Sequence, residues 1–204
     1  MGKFLFWTCL FFFSSNLHIR AQNQVSFYEE YIDFTLDSNC FCINGIYSFC
    51  NASDKAVNQS IIFPFACRTA EIDSVSIVNM NTREPIFYRK SDCSVNFSFM
   101  LPAKDSVDIH IYYRQRSATN NKYILTSTQS WGKPLEKAIY TLTVDDDLKV
   151  KYLSYTPDDV QKTKNCIVYS WRKKRFMPEV DFEVVLDGNS VDNKGNKANL
   201  SRSK

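Results

Sequence analysis

Strict alternation of apolar and polar residues constrains this chain more than any other feature. Val95, Phe97, Phe99 and Leu101 share one parity, against Ser94, Asn96 and Ser98. Val107, Ile109, Ile111 and Tyr113 do the same against Asp108, His110, Tyr112 and Arg114. Ala138, Tyr140, Leu142 and Val144 alternate with Thr141 and Thr143, and Phe182, Val184 and Leu186 alternate with Glu183 and Val185. Successive side chains of a strand point to opposite faces, so each run reads as a half-buried strand. No stretch carries the 3.6-residue apolar stripe of an amphipathic helix. These runs predict an all-β domain, a sandwich of about a dozen short antiparallel strands.

Turn signals punctuate the runs at the short intervals expected of such a fold. Asn51 to Lys55, between Gly45–Cys50 and Gln59–Phe65, reads as a hairpin. Asn81 to Pro85, Pro102 to Ser106, Ala118 to Asn121 and Asp145 to Asp147 mark further reversals. Thr126 to Glu136, with Trp131, Gly132 and Pro134, reads as a structured loop, and Thr156 to Asn165 as a loop or a short helical turn. The first strand breaks its own parity. Val25 and Phe27 fall at odd positions, whereas Ile32, Phe34 and Leu36 fall at even ones. One extra residue near Glu29–Glu30 restores the facing, which predicts a β-bulge or a break between two strands.

The N-terminus has the layout of a secretory signal: Lys3, an apolar run from Phe4 to Phe13, and a polar stretch ending at Ala21. This ten-residue run, interrupted by Thr8, falls short of the roughly 20 apolar residues that span a bilayer, and no later run approaches that length. Cleavage after Ala21 is the best site, with Ser14 or Ser15 as alternatives. Residues 1–21 are thus expected to be a signal peptide, 22–187 the all-β domain, and the polar 188–204 a disordered tail. The implied location is periplasmic or extracellular, with no transmembrane segment left after cleavage. Removing 1–21 takes away Lys3 and Arg20 but no acid, lowering the formal charge from +3 to +1. So balanced a chain offers no electrostatic case for nucleic acid.

The residue inventory excludes several chemistries. A serine or cysteine hydrolase needs a histidine base, and His110 alone remains after His18 is removed. It lies on the polar face of its strand, as a solvated side chain would. Zinc held by several histidines is ruled out, and Cys40-Phe-Cys42 lacks the usual knuckle spacing. No Gly-rich loop exists to cradle phosphate, and no cofactor is implied. The run Asp145-Asp146-Asp147 lacks the glycine and spacing of an EF-hand and reads as a turn, with a weak metal site left open. Arg172-Lys173-Lys174-Arg175 reads as a charged turn between strands. A glycan hydrolase would need two placed carboxylates, for which Glu29–Glu30, Asp33 and Asp158–Asp159 are candidates. Surplus aromatics, among them Trp131, Trp171, Tyr112, Tyr152 and Tyr155, equally suit carbohydrate or protein contacts or a second sheet.

The segment Gly45-Ile-Tyr-Ser-Phe-Cys-Asn51 with Ile61-Ile-Phe-Pro-Phe65, then Tyr123-Ile-Leu-Thr-Ser-Thr128 leading to Trp131 and Pro134-Leu135, then Phe176-Met-Pro-Glu-Val-Asp-Phe182, resembles uncharacterised exported proteins of Gram-negative bacteria, in particular the Bacteroides–Flavobacterium group. The resemblance implies export and a β-sandwich-like architecture, and carries no activity or catalytic residue. It also places Trp131 and Pro134 in a structural loop. The expected function is an exported, non-catalytic interaction or envelope-associated protein with an unknown protein or glycan partner. An exported glycan hydrolase and a carbohydrate-binding module are the alternatives.

Removing residues 1–21 takes away Cys9 and leaves six of the seven cysteines, and an even set in an exported chain suggests disulfides. If the hairpin turns around Ala52 to Asp54, opposed residue numbers sum to about 106, and Cys67 falls beside Cys40 and Cys42. A bridge from Cys67 to Cys40 or Cys42 is therefore expected. Cys93 shares parity with Val95 and Phe97 and is expected to be a buried thiol.

Overall fold

A computed structural model describes residues 24–66 and 72–188. Residues 1–21, expected to be a signal peptide, residues 189–204 of the expected tail, and Cys67 lie outside the described residues. The described chain is all-β, as the alternation requires. Its strands are β1 (Val25–Leu36), β2 (Cys40–Asn51), β3 (Val57–Pro64), β4 (Ile72–Asn79), β5 (Glu84–Pro85), β6 (Tyr88–Ser91), β7 (Ser94–Leu101), β8 (Ser106–Arg116), β9 (Asn120–Tyr123), β10 (Leu135–Asp145), β11 (Val150–Leu153), β12 (Asp159–Lys162), β13 (Cys166–Phe176) and β14 (Phe182–Leu186). A 3-10 helix, Thr126–Trp131, joins β9 to β10.

One large sheet, ordered β12-β13-β10-β1-β2-β8-β4-β5, forms the base. Two three-stranded sheets, β11-β14-β9 and β3-β7-β6, cover one of its faces. Phe182 of β14 stacks on Phe34 of β1 and meets Trp171 of β13, so the first small sheet covers the β13-β10-β1 side. Phe63 of β3 packs on Tyr47 and Tyr113, and Phe99 of β7 on Phe49, so the second covers β2 and β8. Pairing is antiparallel except between β1 and β10, which run parallel with Ile32 opposite Tyr140 and Phe34 opposite Leu142.

The parity break in β1 is a bulge. The β1–β2 register shifts between Phe27 and Glu29, leaving Tyr28 as the extra residue. Beyond it the core face is taken by Glu30, Ile32, Phe34 and Leu36, all buried.

Other expectations are corrected. Residues 51–55 are not a hairpin turn: β2 pairs with β1 and β8, while β3 pairs with β7. The segment is an arch that carries the chain from the large sheet to the small one, and residues 102–105 carry it back from β7 to β8. The buried amide of Asn51 ties the two arches together, donating to the carbonyls of Lys55 (2.8 Å) and Pro102 (2.9 Å). Such a buried donor is satisfied only while both arches stay in place. Cys93 sits in the β6–β7 turn and is exposed, because the alternation of β7 begins only at Ser94. The basic run 172–175 belongs to β13 and pairs with β10. Residues 159–162 form an edge strand on β13 rather than a loop, with Asp158 accepting from Arg172 N (2.7 Å) and Lys173 Nζ (3.1 Å).

Candidate functional site

The bulge at Tyr28 brings an acid into the core. Glu30 is 1% exposed, and its carboxylate accepts a short hydrogen bond from the Tyr140 hydroxyl. Burial pushes its pKa up to about 7, with the Tyr140 bond opposing that rise. Removing water penalises the charged form, so the buried acid holds its proton more tightly. The Tyr47 and Tyr123 hydroxyls, 2.9 Å apart, form a second buried polar pair. Burial, and then the neighbouring Glu30, push the Tyr47 phenol upward. Tyr47 leans back along its own strand over Gly45, where a Cβ would lie 2.5 Å from the Tyr47 hydroxyl. Glycine is what the position permits.

Above these groups, at the seam between the two small sheets, lies a cavity of about 210 Å³. Its walls include Phe27, Phe49, Phe63 and Trp131, and Glu30 is on its lining with Tyr47 and Tyr123. Ser60, Ile62 and Ser130 are lining residues that are also exposed, and so mark its mouth. Among the described lining residues Glu30 is the one carboxyl, and there is no Lys, Arg or His.

Trp131 reaches this wall through a braced helix. Asp181 accepts from Thr126 N (3.0 Å) and Thr126 Oγ1 (2.6 Å), and Gln129 Nε2 donates to Pro178 O (2.7 Å). Gly132 closes the helix with φ +70°, a conformation glycine adopts without strain. Trp131 then packs on Phe49 (5.4 Å between ring centroids) and Phe27 (6.0 Å). Pro134 follows in the same connection and is exposed, away from the cavity lining.

The remaining sequence candidates lie elsewhere. Glu29 and Glu30 do not form a pair: Glu29 accepts from Tyr31 on the uncovered face of the large sheet, while Glu30 points inward. Asp33 takes a bond from Thr141 on that outer face (2.5 Å), and Asp158 is committed to β13. His110 is on the outer face with Nε2 2.5 Å from Asn44 Oδ1, and partial burial lowers its basicity. Asp145 to Asp147 form the β10–β11 turn, closed by Leu148 N donating to Asp145 O (3.0 Å).

Cys40 and Cys42 share the outer face, their sulfurs 3.3 Å apart, and burial pushes the Cys40 thiol up to about 12. Cys40, Cys42, Cys50, Cys93 and Cys166 are free thiols in this structure. The β2–β3 register that motivated a bridge to Cys67 does not exist, because those strands are in different sheets.

Of the surplus aromatics, Trp171 is core, while Tyr152 is 53% exposed. The sequence named Glu30 only beside Glu29, as one of the candidate carboxylates of a glycan hydrolase, and not as a buried acid. The signal was available: carrying the even parity of Ile32, Phe34 and Leu36 back one step lands on Glu30.

Comparison with known proteins supports the all-β architecture and assigns this chain no activity. Residues 88–185 match a family described as a domain of unknown function, DUF4424. A solved structure from Legionella pneumophila, described as a "putative nutrient binding protein", superposes with a TM-score of 0.67 at 14% identity, covering 90% of this chain and 73% of that one. At such identity the likeness is one of fold. An M1 zinc metallopeptidase from Deinococcus radiodurans gives a TM-score of 0.48 at 8% identity, covering 81% of this chain and 42% of that one. No curated protein matches by sequence. No helix among the described residues is long and apolar enough to cross a membrane.

Proposed function

We propose that the chain is an exported, non-catalytic binding protein whose ligand is a small organic molecule held in the seam cavity. The observation that carries this reading is the cavity itself. It combines an aromatic wall with one convergent polar group, which is the composition of a small-ligand site. Its volume exceeds the roughly 150 Å³ that holds a benzene-sized guest, and is below the usual range for drug-sized ligands, so the guest is compact. The Legionella likeness supports binding in a general sense. The carboxylates named for a hydrolase are dispersed over both faces of the large sheet, which weighs against glycan cleavage. A second reading, contact with a protein or glycan partner, rests on exposed Ile62, Phe87 and Met100, which are 74%, 95% and 57% accessible. Export rests on the N-terminal signal layout.

The test is a thermal-shift screen of compact organic molecules against the full chain without residues 1–21, repeated on Trp131→Ala. A fully buried Trp→Ala change costs about 3–5 kcal/mol, so half-buried Trp131 should cost about 2 kcal/mol while the protein still folds. We expect compounds that raise the melting temperature of the wild type and fail on the variant. A screen with no stabilising compound, or with stabilisation unchanged in Trp131→Ala, would remove the cavity reading.

A further inference from the structure

We propose that the seam cavity selects small organic ammonium ions, with Glu30 as counter-ion and the surrounding aromatic rings as the cage; this rests on the cavity being the ligand site. Three observations converge. A carboxyl group at 1% exposure is costly to leave without a cationic partner, and the described cavity lining provides none. Among the described residues, the hydrogen-bond donor to Glu30 is the neutral Tyr140 hydroxyl. The walls beside it, Phe27, Phe49, Phe63 and Trp131, are aromatic. Aromatic cages attract alkylammonium ions through the negative faces of their rings, and most strongly where water is excluded. A guest with a positive head would supply the charge the fold leaves out, while its methyl groups would contact the rings. A neutral guest of the same shape would gain only the second part.

The groups facing Glu30 leave it as the titrating member. Tyr47 reaches it from β2, Tyr123 from β9 and Tyr140 from β10, and burial pushes all three phenols upward, so they stay neutral near pH 7. The lining residues of the 3-10 helix, Ser127, Thr128, Ser130 and Trp131, carry no ionisable group. An ammonium ion binds the ionised acid, so its affinity should rise with pH.

The experiment compares choline with 3,3-dimethyl-1-butanol, its uncharged carbon analogue, by calorimetry on the full chain without residues 1–21. At pH 8 choline should bind at least tenfold tighter than the alcohol. In Glu30→Gln that preference should vanish while binding of the alcohol persists. Should the variant fail to fold, the wild type suffices. Its choline affinity should rise about tenfold from pH 6 to pH 8, following ionisation of a group near 7, while the alcohol shows no such trend. Equal binding of choline and the alcohol at pH 8 overturns the cation inference and leaves the cavity reading standing. Binding of neither overturns the cation inference, and the cavity reading is then decided by the thermal-shift screen.

Discussion

The two small sheets cover the same face of the same large sheet, yet one seals it and the other leaves a space. Under β14 the aromatic rings close completely. Phe34 and Phe182 stack at 4.4 Å, and Trp171 meets Phe182 edge-on at 5.2 Å. Under β3 and β7 the rings are as numerous, but the core face of the large sheet includes positions without apolar side chains, two of them on the neighbouring strands β1 and β2. One is Gly45, which has no side chain, and the other is Glu30. Aromatic content therefore does not decide whether a sandwich is solid. The space of about 210 Å³ lies where Glu30 replaces an apolar residue on β1 and where Tyr47 leans back over Gly45 on β2.

The sharpest way to break this contrast is on the sealed side. Phe182→Ala removes a fully buried ring between Phe34, Tyr140 and Trp171 and should cost about 3–5 kcal/mol in urea unfolding. A loss under about 1 kcal/mol would mean that this half is as loosely packed as the other.

On the open side the expected change has the opposite sign and depends on pH. Glu30 titrates near 7 in the folded chain against an ordinary value of 4.5. Between those values the folded state binds more protons than the unfolded one, so stability falls as pH rises. The wild type should lose roughly 3 kcal/mol from about pH 4.5 to pH 7 and little beyond, since each tenfold change in proton affinity corresponds to about 1.4 kcal/mol. Glu30→Gln keeps an acceptor for Tyr140 and removes the charge. Its stability should lack this slope and exceed that of the wild type at pH 8. Parallel pH curves for the two proteins would show that Glu30 is solvated in solution.

The smallest effect is expected at Gly45. An alanine Cβ there would lie 2.7 Å from ring carbons of Tyr47, and the ring must swing away. Overpacking of this kind costs about 1–3 kcal/mol, and the low end applies because a side chain rather than backbone yields. The readout is a several-fold change in ligand affinity with the fold retained. Unchanged binding would separate Tyr47 from the site.

Strand identity and facing were legible because they are local. The parity of Val95 to Leu101 and of Val107 to Tyr113 predicted their burial, and the broken parity of β1 predicted the bulge. What residues 51–55 connect was not legible. An Asn-Ala-Ser-Asp-Lys reversal suits a hairpin and an arch alike, and only the distant partners of β2 and β3 distinguish them. The cysteine register inherited that ambiguity. The cavity was hidden for a similar reason, since its lining comes from β1, β2, β3, β7, β8, β9 and the 3-10 helix, and no local pattern announces their meeting. Glu30 was the exception, marked as inward by parity but read with Glu29 as a hydrolase candidate.

The parallel pairing of β1 with β10 also governs when the molecule can come into being. Glu30 lies opposite Ala138, and the hydroxyl that satisfies it belongs to Tyr140, 110 residues further along the chain. Closing so long a loop must be accomplished before the contact yields any stabilisation, and folding rates fall as such separations grow. As the chain emerges N-terminus first, β1 can pair with β2, and β2 next with β8, but the other edge of β1 stays open until β10 follows. The centre of the large sheet is thus among the earliest segments made and among the last completed, and the buried acid has no settled place until the strand carrying Tyr140 has followed it.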